Sequence, residues 1–165
     1  MAPGSREFIK SAMQHLLIVS HTPSANTRSM TQAVCDGASH SDISGIELKL
    51  CRPLETGPQE VLWADGILLG TTENFGYMSG AMKDFFDRIY YPCLEQTQSL
   101  PYGLFIRAGN DGLGARSSIE RIVTGLAWKE VQPALICRGH WQESFLGQCE
   151  ELGMTMAAGM EAGVF

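Results

Sequence analysis

No apolar run in this 165-residue chain approaches the ~18 residues that a membrane-crossing helix requires. The longest runs, such as Leu16–Val19, are strand-sized. Basic residues are few and unclustered. Twelve Lys and Arg stand against 18 Asp and Glu, for a net charge of −6, which speaks against nucleic acid as a main partner. CxxC pairs are missing. The five cysteines (Cys35, Cys51, Cys93, Cys137 and Cys149) read as free thiols in a reducing compartment, so a cytoplasmic location is expected. Cys137 and His140 stand three apart, yet no second ligand pair accompanies them to complete a zinc site. A GxxxxGK loop is missing, which excludes the usual nucleoside triphosphate cradle, and so is a GxGxxG turn. No GxSxG elbow supplies a nucleophile.

What is present suits one soluble domain. Apolar residues make up 44% of the chain and charged residues 18%; a domain of about 150 residues buries about 70% of its unfolded surface. That composition excludes a disordered chain, and the length excludes a disulfide-stapled mini-protein. The N-terminus has no apolar signal core. Gly4-Ser5-Arg6-Glu7-Phe8 reads as a cloning scar. Residues 1–12 are therefore expected to be a tag or a disordered tail, and 13–165 a single domain starting at Met13.

Five apolar segments alternate with helical patterns. His15–Ser20, Gly66–Gly70, Tyr102–Ile106 and Ala134–Cys137 are short buried runs, and Ile46–Cys51 alternates as an edge strand does. Between them, Met30, Ala33, Val34 and Ala38 share one helical face. Met82, Phe85, Phe86, Ile89 and Tyr90 share a second, with Pro92 ending that helix or lying just past its end. Ile119, Ile122, Val123 and Leu126 share a third, and Phe145, Cys149, Leu152 and Met156 a last one. Pro58–Ala64 reads as a short helix. This βα alternation predicts an α/β fold: a doubly wound, five-stranded parallel sheet of order 2-1-3-4-5 between two helical layers.

In such a sheet ligands bind beyond the carboxyl ends of the strands, at the switch point. Three polar, glycine-bearing loops meet there. The first carries Thr22, Ser24, Asn26 and Thr27 just before a helix, whose free N–H groups favour an anion; Ser24 or Asn26 equally suits a simple helix cap. The second, Thr71–Ser79, holds Phe75 and Tyr77 beside Gly76. These aromatics pack on a flat ligand, on a second subunit or back on their own sheet. The third runs Gly109-Asn110-Asp111-Gly112-Leu113-Gly114. His21 abuts the first loop, either assisting it or standing solvated. Lys83 and Asp87 have the spacing of a helical ion pair.

Thr22-Pro23-Ser24-Ala25-Asn26-Thr27 resembles the flavodoxin phosphate loop [ST]-x-[ST]-G-x-T, with Ala25 in place of glycine. Gly70–Asp87 resembles the reductase signature T-P-x-Y-x-G-x-x-[SP]-G-x-x-K-x-x-x-D. Gly76, Gly80, Lys83 and Asp87 keep its spacing, while Thr72 and Asn74 replace proline and tyrosine. The chain thus resembles the flavodoxin-like FMN proteins. Nearest are the NAD(P)H-dependent FMN reductases and the tryptophan-repressor-binding-protein-like quinone reductases. The resemblance spans roughly residues 14–138. It implies FMN with its phosphate on Thr22, Ser24, Asn26 and Thr27. It places the ring against Thr72, Glu73, Asn74, Phe75, Gly76 and Tyr77, and the ring's polar edge at Gly109, Asn110 and Asp111. No Cx5R loop of a low-molecular-weight tyrosine phosphatase follows the first strand, nor the paired acids of a receiver domain.

The expected activity is transfer of electrons from NADPH or NADH through FMN to a small acceptor, a quinone or flavin. No catalytic side chain is implied, since the cofactor carries the chemistry. The alternative is an electron carrier of flavodoxin type. Few acids lie near the ring, only Glu73 and Asp111, which favours the enzyme. Aromatics on the rim predict a homo-oligomer, a dimer or tetramer, with neither membrane nor nucleic acid as partner.

Overall fold

A computed structural model describes residues 13–165; the tag or tail expected at 1–12 lies outside the described residues. Leu16–Val19 is fully buried because its strand, β1 (Gln14–Ser20), is covered on both faces. It pairs in parallel with β2 (Ile46–Cys51) and with β3 (Gly66–Asn74). The far end of β3 turns back as β4 (Tyr77–Met78). Next in the sheet is β5 (Pro101–Ala108), parallel to β3. The last position is shared by β6 (Lys129–Glu130) and β7 (Leu135–Arg138), which pair with opposite ends of β5. The doubly wound order is the one the sequence predicts, with the fifth strand interrupted. Pro133 lies in the interruption, where a missing N–H breaks no ladder.

Alternate residues of the strands feed two cores. Leu16, Ile18, Leu68 and Phe105 pack with α1 (Ala25–Ala38) and the C-terminal helix, through Met30, Val34, Phe145, Cys149, Leu152 and Met156. Leu17, Val19, Ile67, Leu69 and Leu104 face the other way. There they meet α2 (Pro58–Trp63), α3 (Gly80–Cys93) and α4 (Leu113–Gly125), through Val61, Phe85, Phe86, Ile89, Ile119 and Val123. The helical faces read from spacing are therefore the buried ones. The C-terminal helix, α5 (Ser144–Glu161), crosses α1 at glycine: a Cβ on Gly37 or Gly153 would lie 1.9 or 2.0 Å from a backbone oxygen of the facing helix.

Two local expectations are corrected. Thr71–Ser79 is not an open loop: β3 runs on to Asn74 and returns through a two-residue hairpin. Pro92 does not end its helix but sits in the last turn, where α3 continues to Cys93.

Burial pushes the Cys35 and Cys93 thiols up to about 11, so both are protonated at neutral pH. Cys149 donates to Cys137, lowering the pKa of Cys137 and raising its own. His140 is exposed while Cys137 is buried. No helix among the described residues is long and apolar enough to cross a membrane.

Candidate functional site

The parallel register brings the three loops to one rim. Ser20 stands opposite Gly70, and Thr72 opposite Arg107, so β1, β3 and β5 all run out toward the same edge, β3 extending furthest as its hairpin arm. The backbone N–H of His21 still donates to Gly70 O at 2.9 Å. A recess where the loop bases meet is lined by His21, Thr27, Thr71, Phe105 and Arg107.

In the first loop, Ser24 adopts extended φ and ψ and caps α1. Its Oγ accepts from Thr27 N–H at 3.2 Å, and its own N–H donates to Thr27 Oγ1 at 3.0 Å. This capping box accounts for the S-x-x-T spacing. It leaves the first N–H groups of the helix, on Ala25 and Asn26, facing outward without helical partners. Thr27 is buried, Thr22 half-buried, and Ser24 and Asn26 exposed. Burial holds the His21 pKa below its ordinary 6.5. The neutral ring is favoured in the folded chain, so stability from this group is present above pH 6.5 and is lost as pH falls through the lowered value. Replacing His21 with Gln is expected to flatten the acid side of a stability–pH curve; equal slopes for the two proteins would exclude His21 as the cause.

In the second loop the hairpin tip is Phe75-Gly76, with φ of 54° and 68°. A two-residue hairpin of this hand needs both angles positive. Glycine takes that without strain, but phenylalanine does not. Phe75 is nevertheless fully exposed, and Tyr77 is 42% exposed. The base of the hairpin is pinned: Thr71 Oγ1 accepts from Ser79 N–H at 3.0 Å and donates to Thr72 O, and Ser79 Oγ caps α3 through Met82 N–H.

The third loop is tied to the second. Glu73 accepts from Gly112 N–H at 3.3 Å and from Ala115 N–H at 3.1 Å, so its carboxylate caps α4 from across the gap. Met78 N–H donates to Ser118 Oγ, and Gly114 lies against the backbone of Gly76. Asp111 caps the same helix through Leu113 N–H. Gly109 and Asn110 are exposed. Lys83 and Asp87 form the ion pair their spacing suggests, on the surface of α3.

Arg107 was not singled out from sequence. Its guanidinium donates to the carbonyls of Ala108, Cys137 and Gly139 at 2.7–3.0 Å, clamping the third loop to the end of β7. The signal was there: one cation at the end of an otherwise apolar strand.

FMN would need a phosphate seat, a polar contact for its ring system and room beside the strand ends. The outward N–H groups of α1 meet the first requirement. For the second, the Thr72 hydroxyl oxygen is buried at the rim and has no hydrogen-bond partner among the described residues. A Cβ on Gly109 would meet nothing within 4 Å, so the third loop leaves the room.

An archaeal flavodoxin superposes with a TM-score of 0.75 over 88% of this chain and 97% of that one, at 19% identity. The chain has the flavodoxin fold. A WrbA-like flavodoxin from Agrobacterium tumefaciens shares that fold, with a TM-score of 0.70 over 92% and 99% of the two chains and 16% identity. No protein-family model matches the chain. Sequence similarity is local. A flavodoxin of Aquifex aeolicus (strain VF5) is 36% identical over 77 residues, covering 47% of this chain and 40% of that one. An NAD(P)H dehydrogenase (quinone) of Acidithiobacillus ferrooxidans is 31% identical over 96 residues, covering 46% and 47%. The chain thus spans less than half the length of these curated relatives. The likeness to flavodoxin-like FMN proteins near the quinone reductases, read from two loops, stands with the flavodoxin fold.

Proposed function

We propose that residues 13–165 form one FMN-binding unit that takes electrons from NAD(P)H and passes them to a small acceptor such as a quinone or a free flavin. When bound, FMN supplies the hydride and electron chemistry. The residues supply position. Ala25 and Asn26 N–H groups, with the Thr22 and Ser24 hydroxyls, hold the phosphate; Thr72 to Tyr77 flank the ring; Asn110 meets its polar edge. The observation that carries this reading is the buried, unpartnered Thr72 hydroxyl of β3, opposite Arg107 near the loop end of the sheet.

The choice of enzyme over carrier rests on charge. The Glu73 carboxylate is turned into the N-terminus of α4, and the positive end of that helix offsets it. Asp111 is bound to the same helix end. Negative charge facing the ring is therefore small, and full two-electron reduction is not opposed. The relative named NAD(P)H dehydrogenase (quinone) supports the enzyme; the relative named flavodoxin supports an electron carrier.

The absorbance spectrum of the purified protein tests for FMN, and NADPH oxidation with and without a quinone tests for turnover. Bound flavin with no oxidation of either nicotinamide nucleotide would favour the carrier. Ser24→Ala is expected to weaken FMN binding roughly 10–150-fold, as one hydrogen bond to a charged group is lost, and to cost about 1 kcal/mol of cap. Unchanged FMN affinity would remove the first loop from the site. We further propose a homo-oligomer, dimer or tetramer, covering Phe75, Tyr77, Tyr91 and Leu113, which are all exposed. A monomeric mass by light scattering at micromolar concentration would reject it. Cytoplasmic residence, and the absence of membrane or nucleic-acid partners, belong to the same proposal.

A further inference from the structure

The roomiest concavity on the rim does not lie between the three loops. Its larger lobe lies on the β2 side of β1, between α1, the end of β2 and the single turn Pro53–Glu55, and its smaller lobe reaches the first loop at His21–Pro23 and the start of α3 at Ala81. Its two lobes, of about 670 and 340 Å³, share Thr22, Arg28, Arg52 and Glu55.

Two unpaired cations face this cleft. Neither the Arg28 nor the Arg52 side chain makes an ion pair or a hydrogen bond among the described residues. Arg88, Arg107 and Arg116 are all held; Arg121 and Arg138 are exposed and also without a side-chain partner among the described residues, but neither lines this cleft, so what sets Arg28 and Arg52 apart is that they share one concavity. Arg28 stands in the first turn of α1, which contains no acidic residue. A cation at the positive end of a helix is unfavourable on its own, and in a chain of net charge −6 a carboxylate could have been placed there. Glu55 shares the wall yet pairs with neither arginine. Gln32 adds a neutral donor, and Leu50 and Leu54, 51% and 64% exposed, give an apolar shelf at the mouth. Two guanidinium forks suit a phosphate dianion, and an apolar shelf beside them suits a nucleoside base.

We propose that this cleft binds the 2′-phosphate end of the nicotinamide nucleotide, which makes NADPH rather than NADH the electron donor. The inference rests on the proposed reductase function for the identity of the donor. The phosphate site itself stands on Arg28 and Arg52.

Two measurements separate these dependencies. Calorimetric titration of the FMN-loaded protein with 2′-AMP, against adenosine as control, reads the cleft without any turnover. Binding of 2′-AMP but not adenosine is expected, weakened tenfold or more by Arg28→Ala and by Arg52→Ala, with the FMN content of both variants unchanged. Steady-state oxidation then reads the donor: Arg52→Ala is expected to raise KM for NADPH at least tenfold and to leave KM for NADH alone. Failure to oxidise either nucleotide would overturn the reductase reading, while 2′-AMP binding would still decide the cleft. Equal affinity of parent and variants for 2′-AMP overturns the site. Loss of FMN instead of 2′-AMP in the variants also overturns it, because the arginines would then serve the flavin phosphate.

Discussion

Gly37→Ala and Gly153→Ala are each expected to destabilise the domain by about 3 kcal/mol, at the upper end of what overpacking a closed core usually costs. At these two positions α1 and α5 approach backbone to backbone. A methyl group on Gly37 would sit 1.9 Å from Glu150 O, and one on Gly153 would sit 2.0 Å from Val34 O. Neither obstacle is the flexible end of a side chain, so a helix must move. Alanine favours an isolated helix by up to about 1 kcal/mol over glycine, which the clash outweighs. The two helices together close one whole face of the sheet. For a chain of this size, 3 kcal/mol lowers Tm by roughly 6–12 °C. A differential scanning calorimetry trace within 2 °C of the parent for both variants would contradict so close a crossing.

The second large effect is expected at Glu73. Glu73→Ala removes the acceptor of the N–H groups of Gly112, which precedes α4, and of Ala115 in its first turn, and the only carboxylate that bridges the second and third loops among the described residues. Hydrogen bonds to a charged group contribute about 1.5–3 kcal/mol each when buried. Glu73 is half-buried, so about 2 kcal/mol in total is expected after allowance for solvent. The consequence for the site is larger than that figure suggests. The exposed hairpin tip is held against α4 by this carboxylate, by the bond from Met78 to Ser118 and by the contact of Gly76 with Gly114. Faster amide exchange at Gly112 and Ala115, together with weaker FMN binding, is the expected signature in Glu73→Ala. Glu73→Gln keeps one acceptor and is expected to fall between. If Glu73→Ala exchanges these amides at the parent's rate, the cap is not what orders the third loop.

The sequence alone determined the strand order, the two buried helical layers and the rim where the loops gather. The elements and their buried faces follow from period-2 and period-3.6 patterning, which local physics reads directly, and the order from the rule by which βα alternation winds a parallel sheet: Leu16–Val19 and the Met82–Ile89 face required no knowledge of their partners. The S-x-x-T cap of α1 was legible for the same reason, since donor and acceptor lie three residues apart. What only the tertiary structure decided depends on residues far apart in the chain. Glu73 reads as a ring-flanking acid until α4 is placed 39 residues further on. Thr71–Ser79 reads as a loop because a hairpin with phenylalanine at positive φ defies turn preference. It forms because β4 is held by Ser118 across the gap. Arg28 and Arg52 come from different βα units and show no common pattern in sequence. They share a cleft only because β2 pairs beside β1, in parallel, and brings its end to the start of α1.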